Sequence, residues 1–377
     1  MKVALIAFNY AEYCIRLANG LAEQAEVMLL LPRAIAQPHL RLAAPAVRLE
    51  MFDKPRLRQV FAQRRTLRDL IGRIRRFQPD VLHFQQGYLW FNLILPLLGD
   101  LPLVITVHDP RYHAGDVGVD RAIQPLVNRG FLRADQLIVH AEQCRQALLK
   151  LLPVRAEDVQ VIPHVQVGDV PAKTADIAEE EDSILFFGRI WRYKGLAYLI
   201  RAEPLITAHR PQARIVIAGE GEDFAPYRRM MIHPERFSVT NRYIADDEAP
   251  GFFCRASLVV LPYIDASQSG VVPMAYTYGK PVVATTVGGL PEIVEDGVTG
   301  ILVPPRDERA LAEAVLTLLE DPLRRRHMGR MGRQKIETEC SPAVVARATL
   351  AAYARAVEAC ASRSGMHLAD GTNLVRS

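Results

Sequence analysis

The sequence predicts an α/β protein with two doubly wound domains, each built on a parallel sheet that is covered by helices on both faces. Three observations lead to this prediction. The chain has 377 residues, which is enough for two domains of roughly 150 residues each. Short apolar runs alternate with helical patterns, as a parallel sheet buried on both faces requires. This alternation stops at a polar, acidic stretch and then starts again.

The first domain is predicted to span residues 1–168. Its opening residues form a short apolar run with a single basic residue, which indicates a buried first strand rather than a signal peptide. Helices are predicted at residues 12–24 and 57–77 from the spacing of their apolar positions. Strands are predicted at residues 3–8, 27–31, 81–84, 103–107, 136–139 and 159–162.

The second domain is predicted to span residues 184–340, after a polar linker at residues 169–183. Helices are predicted at residues 196–208, 270–278 and 310–319. A further helix is predicted at residues 341–361, and the aperiodic tail at residues 362–377 is expected to be mobile. Strands are predicted at residues 184–187, 214–218, around 239, 258–261, 282–284 and 301–303.

Charge and cysteine content narrow the class of protein. The formal net charge is +4, but residues 1–168 carry 21 basic and 15 acidic residues, which leaves 46 − 21 = 25 basic and 42 − 15 = 27 acidic residues for the rest. The first half is therefore about +6 and the second about −2. The odd number of cysteines, five, without a Cys-x-x-Cys pair favours a reducing, cytoplasmic compartment over a disulfide framework.

The clearest candidate site follows the predicted strand at residues 184–187. Gly188 allows a ligand to approach the backbone closely, and Arg189 and Lys194 place two cations beside the end of the strand. Fixed positive charges of this kind suit a pyrophosphate, because a departing phosphate needs positive partners. The alternative is a pair of ordinary surface bases on a loop.

Three further glycine-containing turns lie at predicted strand ends. The segment Gln268, Ser269, Gly270 and Val271 opens a helix and offers backbone N–H groups to an anion; alternatively Ser269 simply caps that helix. Gly219 and Gly221 follow the strand at residues 214–218. A Gly-Gly turn at residues 288–289 precedes Pro291, a residue favoured in the first turn of a helix. Each of these turns also occurs where no ligand binds.

In combination these motifs resemble glycosyltransferase family 4. The resemblance covers nearly all of the second half, and it is looser in the first half, at residues 79–83 and 106–109. The segments that carry it in the second half are Phe187-Gly188-Arg189…Lys194-Gly195, Ala218-Gly219-Glu220-Gly221, Gly279-x-Pro281-Val282-Val283-Ala284, Gly288-Gly289-x-Pro291-Glu292 and Asp296-Gly297-Val298-Thr299-Gly300-Ile301-Leu302-Val303-Pro304.

The resemblance implies a GT-B fold, with two Rossmann-like domains facing each other across a cleft and a C-terminal helix that crosses back to the first domain. It implies metal-independent transfer of a sugar from a nucleotide-sugar, with retention of anomeric configuration, and no further cofactor. The donor would bind the second domain, with Arg189 and Lys194 on its pyrophosphate and residues 268–271 at its phosphate or sugar. His108 falls on a family position near the transferred sugar and acceptor.

One departure from the family pattern concerns two glutamates that are usually seven residues apart. Their positions, counted back from Gly279, are held by Ala266 and Met274. Asp265 is the candidate partial substitute for the first carboxylate, and the Ser269 hydroxyl could also contribute. The departure indicates either a variant subgroup or weakened catalysis.

The first half supplies candidate acceptor-side residues. Asp109 follows His108, and Glu142 follows the predicted strand at residues 136–139, where it is either a cleft residue or a solvated acid at a helix start. Residues 54–76 carry nine basic residues and one acid, Asp69. This segment is either an ordinary solvated face or a contact with an anionic acceptor or a membrane surface.

The sequence-based hypothesis is thus a cytoplasmic retaining glycosyltransferase, peripheral on the inner face of the membrane if the basic segment binds it. Its acceptor would be a glycan or a lipid-linked intermediate of cell-surface polysaccharide or glycoconjugate synthesis. No nucleic-acid-binding signature was found. Two alternatives stay open: a non-catalytic protein that binds nucleotide-sugars, and a GT-B-fold nucleotide-sugar epimerase.

Overall fold

The computed structural model describes residues 1–110, 119–168 and 176–373, and these form two compact α/β units. The first unit contains residues 1–110, 119–165 and the segment that begins at Ser341, and the second contains residues 166–340. The division lies three residues before the predicted end of the first domain at 168. Residues 169–175 of the predicted linker and 374–377 of the predicted tail lie outside the described residues.

The first unit is built on a parallel sheet with strand order β3-β2-β1-β4-β5-β6-β7. Its inner strands are buried along their length and rich in Val, Ile and Leu, as expected of strands covered on both faces. The strands β1 to β7 are Lys2–Ala7, Glu26–Pro32, Val47–Phe52, Val81–Gln85, Leu103–Thr106, Gln136–Val139 and Val159–Val161. The helices α1 to α6 are Ala11–Leu21, Arg33–Ala36, Val60–Phe77, Leu89–Ile94, Val119–Phe131 and Glu142–Leu151.

The second unit repeats this arrangement with strand order β10-β9-β8-β11-β12-β13, again all parallel. The strands β8 to β13 are Ser183–Phe187, Arg214–Ala218, Phe237–Thr240, Leu258–Leu261, Val282–Thr285 and Gly300–Val303. The helices α7 to α13 are Leu196–Thr207, Ala225–Met230, Ala249–Arg255, Val271–Thr277, Leu290–Ile293, Glu308–Glu320 and Pro322–Glu339. The prediction of two parallel-sheet α/β domains is therefore confirmed.

The last helix, α14, spans Pro342–Asn373 and belongs to the first unit. It packs against α1 at Gly20, where an added Cβ would lie 2.2 Å from the carbonyl oxygen of Pro342. Tyr353 is fully buried there, and its hydroxyl lies 2.7 Å from Nδ1 of His83. The sequence predicts that this helix ends at residue 361 and that an aperiodic tail follows. In the structure, residues 362–373 continue the helix instead.

Each sheet has one point at which the strand order reverses. In the first unit the chain moves outward from β1 to β3 and then returns to β4 on the other side of β1; in the second it moves from β8 to β10 and returns to β11. Loops that leave the carboxyl ends of strands at such a reversal diverge, and the crevice between them is the usual ligand site of open α/β sheets. The loops after β8 and β11 contain residues 188–194 and 262–270.

Candidate active site

Glycines bring the loops after β8 and β9 into direct contact. The Gly188 N–H donates to the carbonyl oxygen of Ala218 over 2.9 Å. Gly219 has a φ of +147°, and a Cβ there would lie 2.0 Å from the carbonyl oxygen of Gly188. A Cβ on Gly221 would lie 2.0 Å from the carbonyl oxygen of Ile190. Gly219 and Gly221 are thus required by backbone packing at the carboxyl edge of the sheet, whereas Gly188 is favoured by its φ of +103°.

Arg189 and Lys194 lie at the same edge and face the loop that follows β11. The Arg189 guanidinium donates to the hydroxyl of Tyr193 over 3.1 Å, while its side chain is exposed. The Lys194 Nζ lies 3.8 Å from the ring centroid of Tyr263, a cation–π distance. Burial raises the pKa of Tyr263 to about 12, and the positive charge of Arg189 opposes that rise. Both predicted cations therefore contact Tyr193, since the Lys194 Nζ also lies 5.2 Å from the Tyr193 ring centroid.

Ser269 joins this group through its side chain. Its Oγ lies 3.2 Å from the Tyr263 hydroxyl and accepts from the N–H of Val271 over 3.2 Å. The alternative that Ser269 is an ordinary N-cap is wrong, because Gly270 holds the N-cap position of α10, although the Ser269 hydroxyl accepts from the N–H of Val271, the first residue of that helix. Gly270 is exposed, and Gln268 is half-buried. The structure therefore places the segment 268–271 beside Arg189 and Lys194.

The Gly-Gly turn after β12 packs against the same loop. A Cβ on Gly288 would lie 1.9 Å from the carbonyl oxygen of Ala266, and the Gly289 N–H donates to the carbonyl oxygen of Ser267 over 2.9 Å. Ala266 is buried and Asp265 is half-buried. Met274, at the second position where the family usually has glutamate, lies 3.5 Å from where a Cβ on Gly168 would be.

In the first unit, His108 is held at the carboxyl edge of the sheet by two glutamines that follow one another in the sequence. Its backbone N–H donates to Oε1 of Gln86 over 2.6 Å, and its Nε2 lies 2.9 Å from Oε1 of Gln85. The N–H of Asp109 donates to the same Gln86 oxygen. The ring of Tyr10 stacks on the His108 imidazole at 4.1 Å. His108 itself is 1% exposed.

Two further histidines, which the sequence analysis did not single out, lie beside His108. The ring centroid of His140 is 4.9 Å from that of His108, and the ring of His164 is 5.1 Å from that of His140. Tyr13 contacts all three rings. Their positions in the sequence could have indicated them, because both follow predicted strands. His140 directly follows the predicted strand at 136–139, and His164 lies two residues beyond the strand predicted at 159–162.

Burial lowers the pKa of each of these imidazoles. The pKa is about 3 for His140 and about 4 for His164, and that of His108 falls well below its ordinary value, with the neighbouring histidines adding to the effect. All three rings are therefore neutral at physiological pH.

The two predicted acceptor-side carboxylates differ in their surroundings. Glu142 is the first residue of α6, and its carboxylate pairs with Arg145 at 3.2 Å. Asp109 is half-buried, and its carbonyl oxygen accepts from the side-chain amide of Gln86 over 3.1 Å. The ion pair of Glu142 is what a solvated acid at a helix start would form.

Neither a grouping of metal ligands nor a membrane-spanning helix occurs in the part of the chain that the structure describes. No group of three or more His, Cys, Asp or Glu side chains there is arranged to hold a metal ion. None of the helices described is both long enough and apolar enough to cross a bilayer.

Comparison with family models gives two matches that follow the two units. Residues 11–165 match the model described as Glycosyltransferase Family 4, and residues 181–321 match the model described as Glycosyl transferases group 1. Together with the fold, these matches identify the chain as a glycosyltransferase of the GT-B class.

Individual relatives agree with this assignment. The chain is 27% identical over 255 residues to the alpha-D-kanosaminyltransferase of Streptomyces kanamyceticus; the alignment covers 63% of this chain and 66% of that protein, just under two thirds of its length. Sucrose-phosphate synthase from Thermosynechococcus elongatus superposes with a TM-score of 0.73 at 19% identity, over 94% of this chain and 98% of that one. Anabaena HepE, solved in complex with UDP-glucose, superposes with a TM-score of 0.69 at 19% identity, over 92% of this chain and 97% of HepE.

Proposed function

We propose that the protein is a retaining, metal-independent glycosyltransferase that moves a sugar from a nucleotide-sugar donor to a glycan or a lipid-linked acceptor. The reaction would serve the synthesis of a cell-surface polysaccharide or glycoconjugate, at the cytoplasmic side of the membrane. The observation that carries the proposal is that Arg189 and Lys194 both contact Tyr193, with Lys194 also on the Tyr263 ring, at the point where the strand order of the second sheet reverses.

The two cations give the departing nucleoside diphosphate its positive partners. As the glycosidic bond of the donor breaks, negative charge accumulates on the β-phosphate, and fixed cations stabilise that charge without having to reorganise. Lys194 is already positioned by the Tyr263 ring, while the exposed Arg189 guanidinium is accessible to a ligand. Backbone amides and the hydroxyl near Ser269, with Asp265 beside them, would complete the donor site. His108 orients the sugar or the acceptor and is not a nucleophile.

The solved complex of HepE with UDP-glucose supports the donor class, because that GT-B protein holds a nucleotide-sugar. The kanosaminyltransferase supports sugar transfer as the reaction type.

A thermal-shift screen against UDP-, GDP-, ADP- and dTDP-sugars tests the proposal. A ligand at 100 times its dissociation constant adds about 2.7 kcal/mol to the free energy of unfolding of the unit that binds it. We expect one nucleotide class to raise the melting temperature of the wild-type protein. The absence of a shift with every donor would contradict the proposed function.

The absence of carboxylates at Ala266 and Met274 favours one alternative, a protein that binds nucleotide-sugars without transferring them. We infer a variant subgroup instead, because Gly288 and Gly289 still pack against the loop that contains Ala266 and the two cations are in place. If a nucleotide-sugar raises the melting temperature but nucleoside diphosphate is never released, the protein belongs to this alternative class, which binds the donor without transferring its sugar.

We also propose that the first unit contacts an anionic membrane surface through α3 and α4. Phe61 is 90% exposed and Val60 52% exposed at the start of α3, whereas Leu93 and Leu97 are each 62% exposed at and just beyond α4. α3 overlaps the segment 54–76, which carries nine basic residues, from Val60 onward. Exposed apolar side chains among arginines are the features of a helix that lies in the bilayer interface.

A further inference from the structure

Two imidazole nitrogens in the first unit are buried and make no hydrogen bond within the described part of the chain: Nδ1 of His108 and Nε2 of His140. A buried polar atom without a partner costs about 1–3 kcal/mol, so such atoms are rare in folded proteins and usually have a role. Their rings are neighbours, with centroids 4.9 Å apart.

The hydrogen-bond network fixes the tautomer of His108. The side-chain nitrogen of Gln85 lies 3.1 Å from Nε2 of His83 and donates to it. Gln85 therefore turns its carbonyl oxygen toward Nε2 of His108, at 2.9 Å. Since a carbonyl oxygen only accepts, the His108 proton is on Nε2. The unpartnered Nδ1 consequently presents a lone pair.

The tautomer of His140 is fixed by the backbone. Its Nδ1 lies 2.9 Å from the carbonyl oxygen of Ile162 and must donate to it, so the proton is on Nδ1 and the unpartnered Nε2 also presents a lone pair. His164 is tied in the same way, through its Nδ1 and the carbonyl oxygen of Val165 at 2.7 Å. Burial holds the pKa of all three rings below the ordinary value, so these lone pairs are not protonated at neutral pH.

Two neighbouring acceptors select a particular chemistry. Phosphodiester and carboxylate groups have no proton to donate at neutral pH, so these anions would gain nothing from the two nitrogens. A sugar ring offers O–H donors on adjacent carbons, which can donate to two neighbouring lone pairs, and the rings that carry these lone pairs are 4.9 Å apart. Tyr10 stacks on His108 and is 37% exposed, which makes it the outermost ring of the cluster and the side chain that would move to admit a ligand.

We propose that Nδ1 of His108 and Nε2 of His140 form a subsite that accepts hydrogen bonds from two hydroxyl groups of a neutral polyol. The inference rests on the proposed function for the identity of that polyol, a sugar. His140 is its specificity-determining residue: it is the member of the pair that the family resemblance did not point to, and its lone pair adds a second hydroxyl contact to that of His108.

Nitrogen NMR of ¹⁵N-histidine-labelled protein tests the subsite directly. Long-range ¹H–¹⁵N spectra should show the proton on Nε2 of His108 and on Nδ1 of His140. D-glucose, D-mannose and myo-inositol are then titrated separately, and at least one should shift both acceptor nitrogens. An analogue of the responding polyol in which fluorine replaces both contacting hydroxyl groups, and so cannot donate a hydrogen bond to either nitrogen, is the matched ligand control and should shift neither.

Two substitutions at one position separate the lone pair from the fold. His140→Asn keeps a donor to Ile162 but removes the acceptor, and it should weaken polyol binding about three- to tenfold. His140→Gln places an amide oxygen near the position of Nε2 and should restore most of the affinity. His327→Asn, at an exposed position on α13, should leave the affinity unchanged.

The inference is overturned if no polyol shifts the two nitrogens, if either ring has the opposite tautomer, or if Zn²⁺ alone shifts them while every polyol is silent. It is also overturned if His140→Gln binds as weakly as His140→Asn. The nucleotide-sugar screen is independent of this result, because it reports on the second unit. If no nucleotide-sugar raises the melting temperature but a polyol shifts both histidine nitrogens, the proposed function is refuted and the polyol subsite is supported.

Discussion

At the scale of single residues, the backbone around Arg189 and Lys194 decides where these cations lie. Gly195 has a φ of +69°, and a Cβ there would lie 1.8 Å from the carbonyl oxygen of Pro262. The N–H of Ile264 donates to the carbonyl oxygen of Tyr193 over 2.7 Å. The turn that contains Lys194 is therefore fastened to the loop after β11, and the cations are positioned before a ligand arrives.

Arg189→Ala and Lys194→Ala should each lower the turnover of sugar transfer by about 10²–10³, the usual cost of removing a strong charge-stabilising donor. Arg192→Ala is the matched control. Arg192 belongs to the same loop, but its charge acts on Tyr227, which lies on α8. Initial rates and melting temperatures of the three variants provide the measurement. Wild-type turnover in both Arg189→Ala and Lys194→Ala would refute the assignment.

At the scale of elements, the acidic segment before β8 is part of the second unit. Glu179 accepts from Lys280 at 2.6 Å and from Arg325 at 3.0 Å, and both of those side chains are almost fully buried. Asp182 pairs with Arg210. The sequence favoured a solvated linker here because the acids are consecutive, while their partners lie far away in the chain.

Glu179→Gln should lower the free energy of unfolding of the second unit by about 2–3 kcal/mol, because two buried cations lose their counter-charge. Glu181→Gln removes an exposed neighbouring charge and should stay within about 0.5 kcal/mol of wild type. The chain has two tryptophans. Urea unfolding in a Trp90→Phe background leaves Trp191 to report on the second unit. Equal stability of the two Glu variants would show that Glu179 is not structural.

The buried histidines make the first unit sensitive to acid. Burial lowers the pKa of His83 and His140 to about 3 and that of His164 to about 4, whereas an unfolded histidine titrates near 6.5. Below pH 6.5 the unfolded chain binds more protons than the native one. The contribution of these neutral histidines to the free energy of unfolding is therefore complete above about pH 6.5 and is lost as the pH falls toward 3–4.

Lowering the pH from 7.5 to 5.5 should reduce the free energy of unfolding of the first unit by about 1.4 kcal/mol for each of these histidines. His140→Asn should reduce that acid loss by the same amount, and His327→Asn should not change it. Fluorescence of Trp90 in a Trp191→Phe background follows the first unit during urea unfolding at the two pH values. Identical unfolding curves at both pH values would contradict buried, neutral imidazoles.

Much of the architecture could be predicted from sequence, because buried parallel strands are continuous apolar runs. Strand β3 was missed since it is a half-buried edge strand whose sequence mixes Arg48 and Glu50 with apolar residues. Helix α13 was missed because it is strongly basic and buries few apolar side chains. Arg189 and Lys194 could be predicted since a motif contains them. The cluster formed with His140 and His164 could not, because it depends on which strand ends lie side by side in the folded sheet.

At the scale of the whole molecule, the charge is divided between the halves of the sequence. The first half carries an excess of about six positive charges, and its basic segment, residues 54–76, contains the exposed Val60 and Phe61. The second half is slightly acidic, yet it holds Arg189 and Lys194 at the reversal of its sheet. This division suits a protein whose donor is a small anion and whose acceptor is presented at a negatively charged surface.

The protein should therefore bind vesicles that contain anionic phospholipid, and bind neutral phosphatidylcholine vesicles only weakly. Phe61→Ser combined with Leu93→Ser should reduce co-sedimentation at least tenfold, because about 25 cal/mol is lost for each Å² of apolar surface that no longer enters the interface. Leu323→Ser removes an apolar side chain of the second unit that is 74% exposed and serves as the control. Equal binding by the double variant and the control would refute the membrane contact.

The most direct test of sugar transfer is ¹H NMR analysis of the products formed from the donor that the screen identifies, with a lipid-linked glycan extract as acceptor. The account predicts release of nucleoside diphosphate together with a new glycoside whose anomeric configuration matches that of the donor. Binding of the donor without release of nucleoside diphosphate, or its conversion to an epimeric nucleotide-sugar without acceptor, would contradict it.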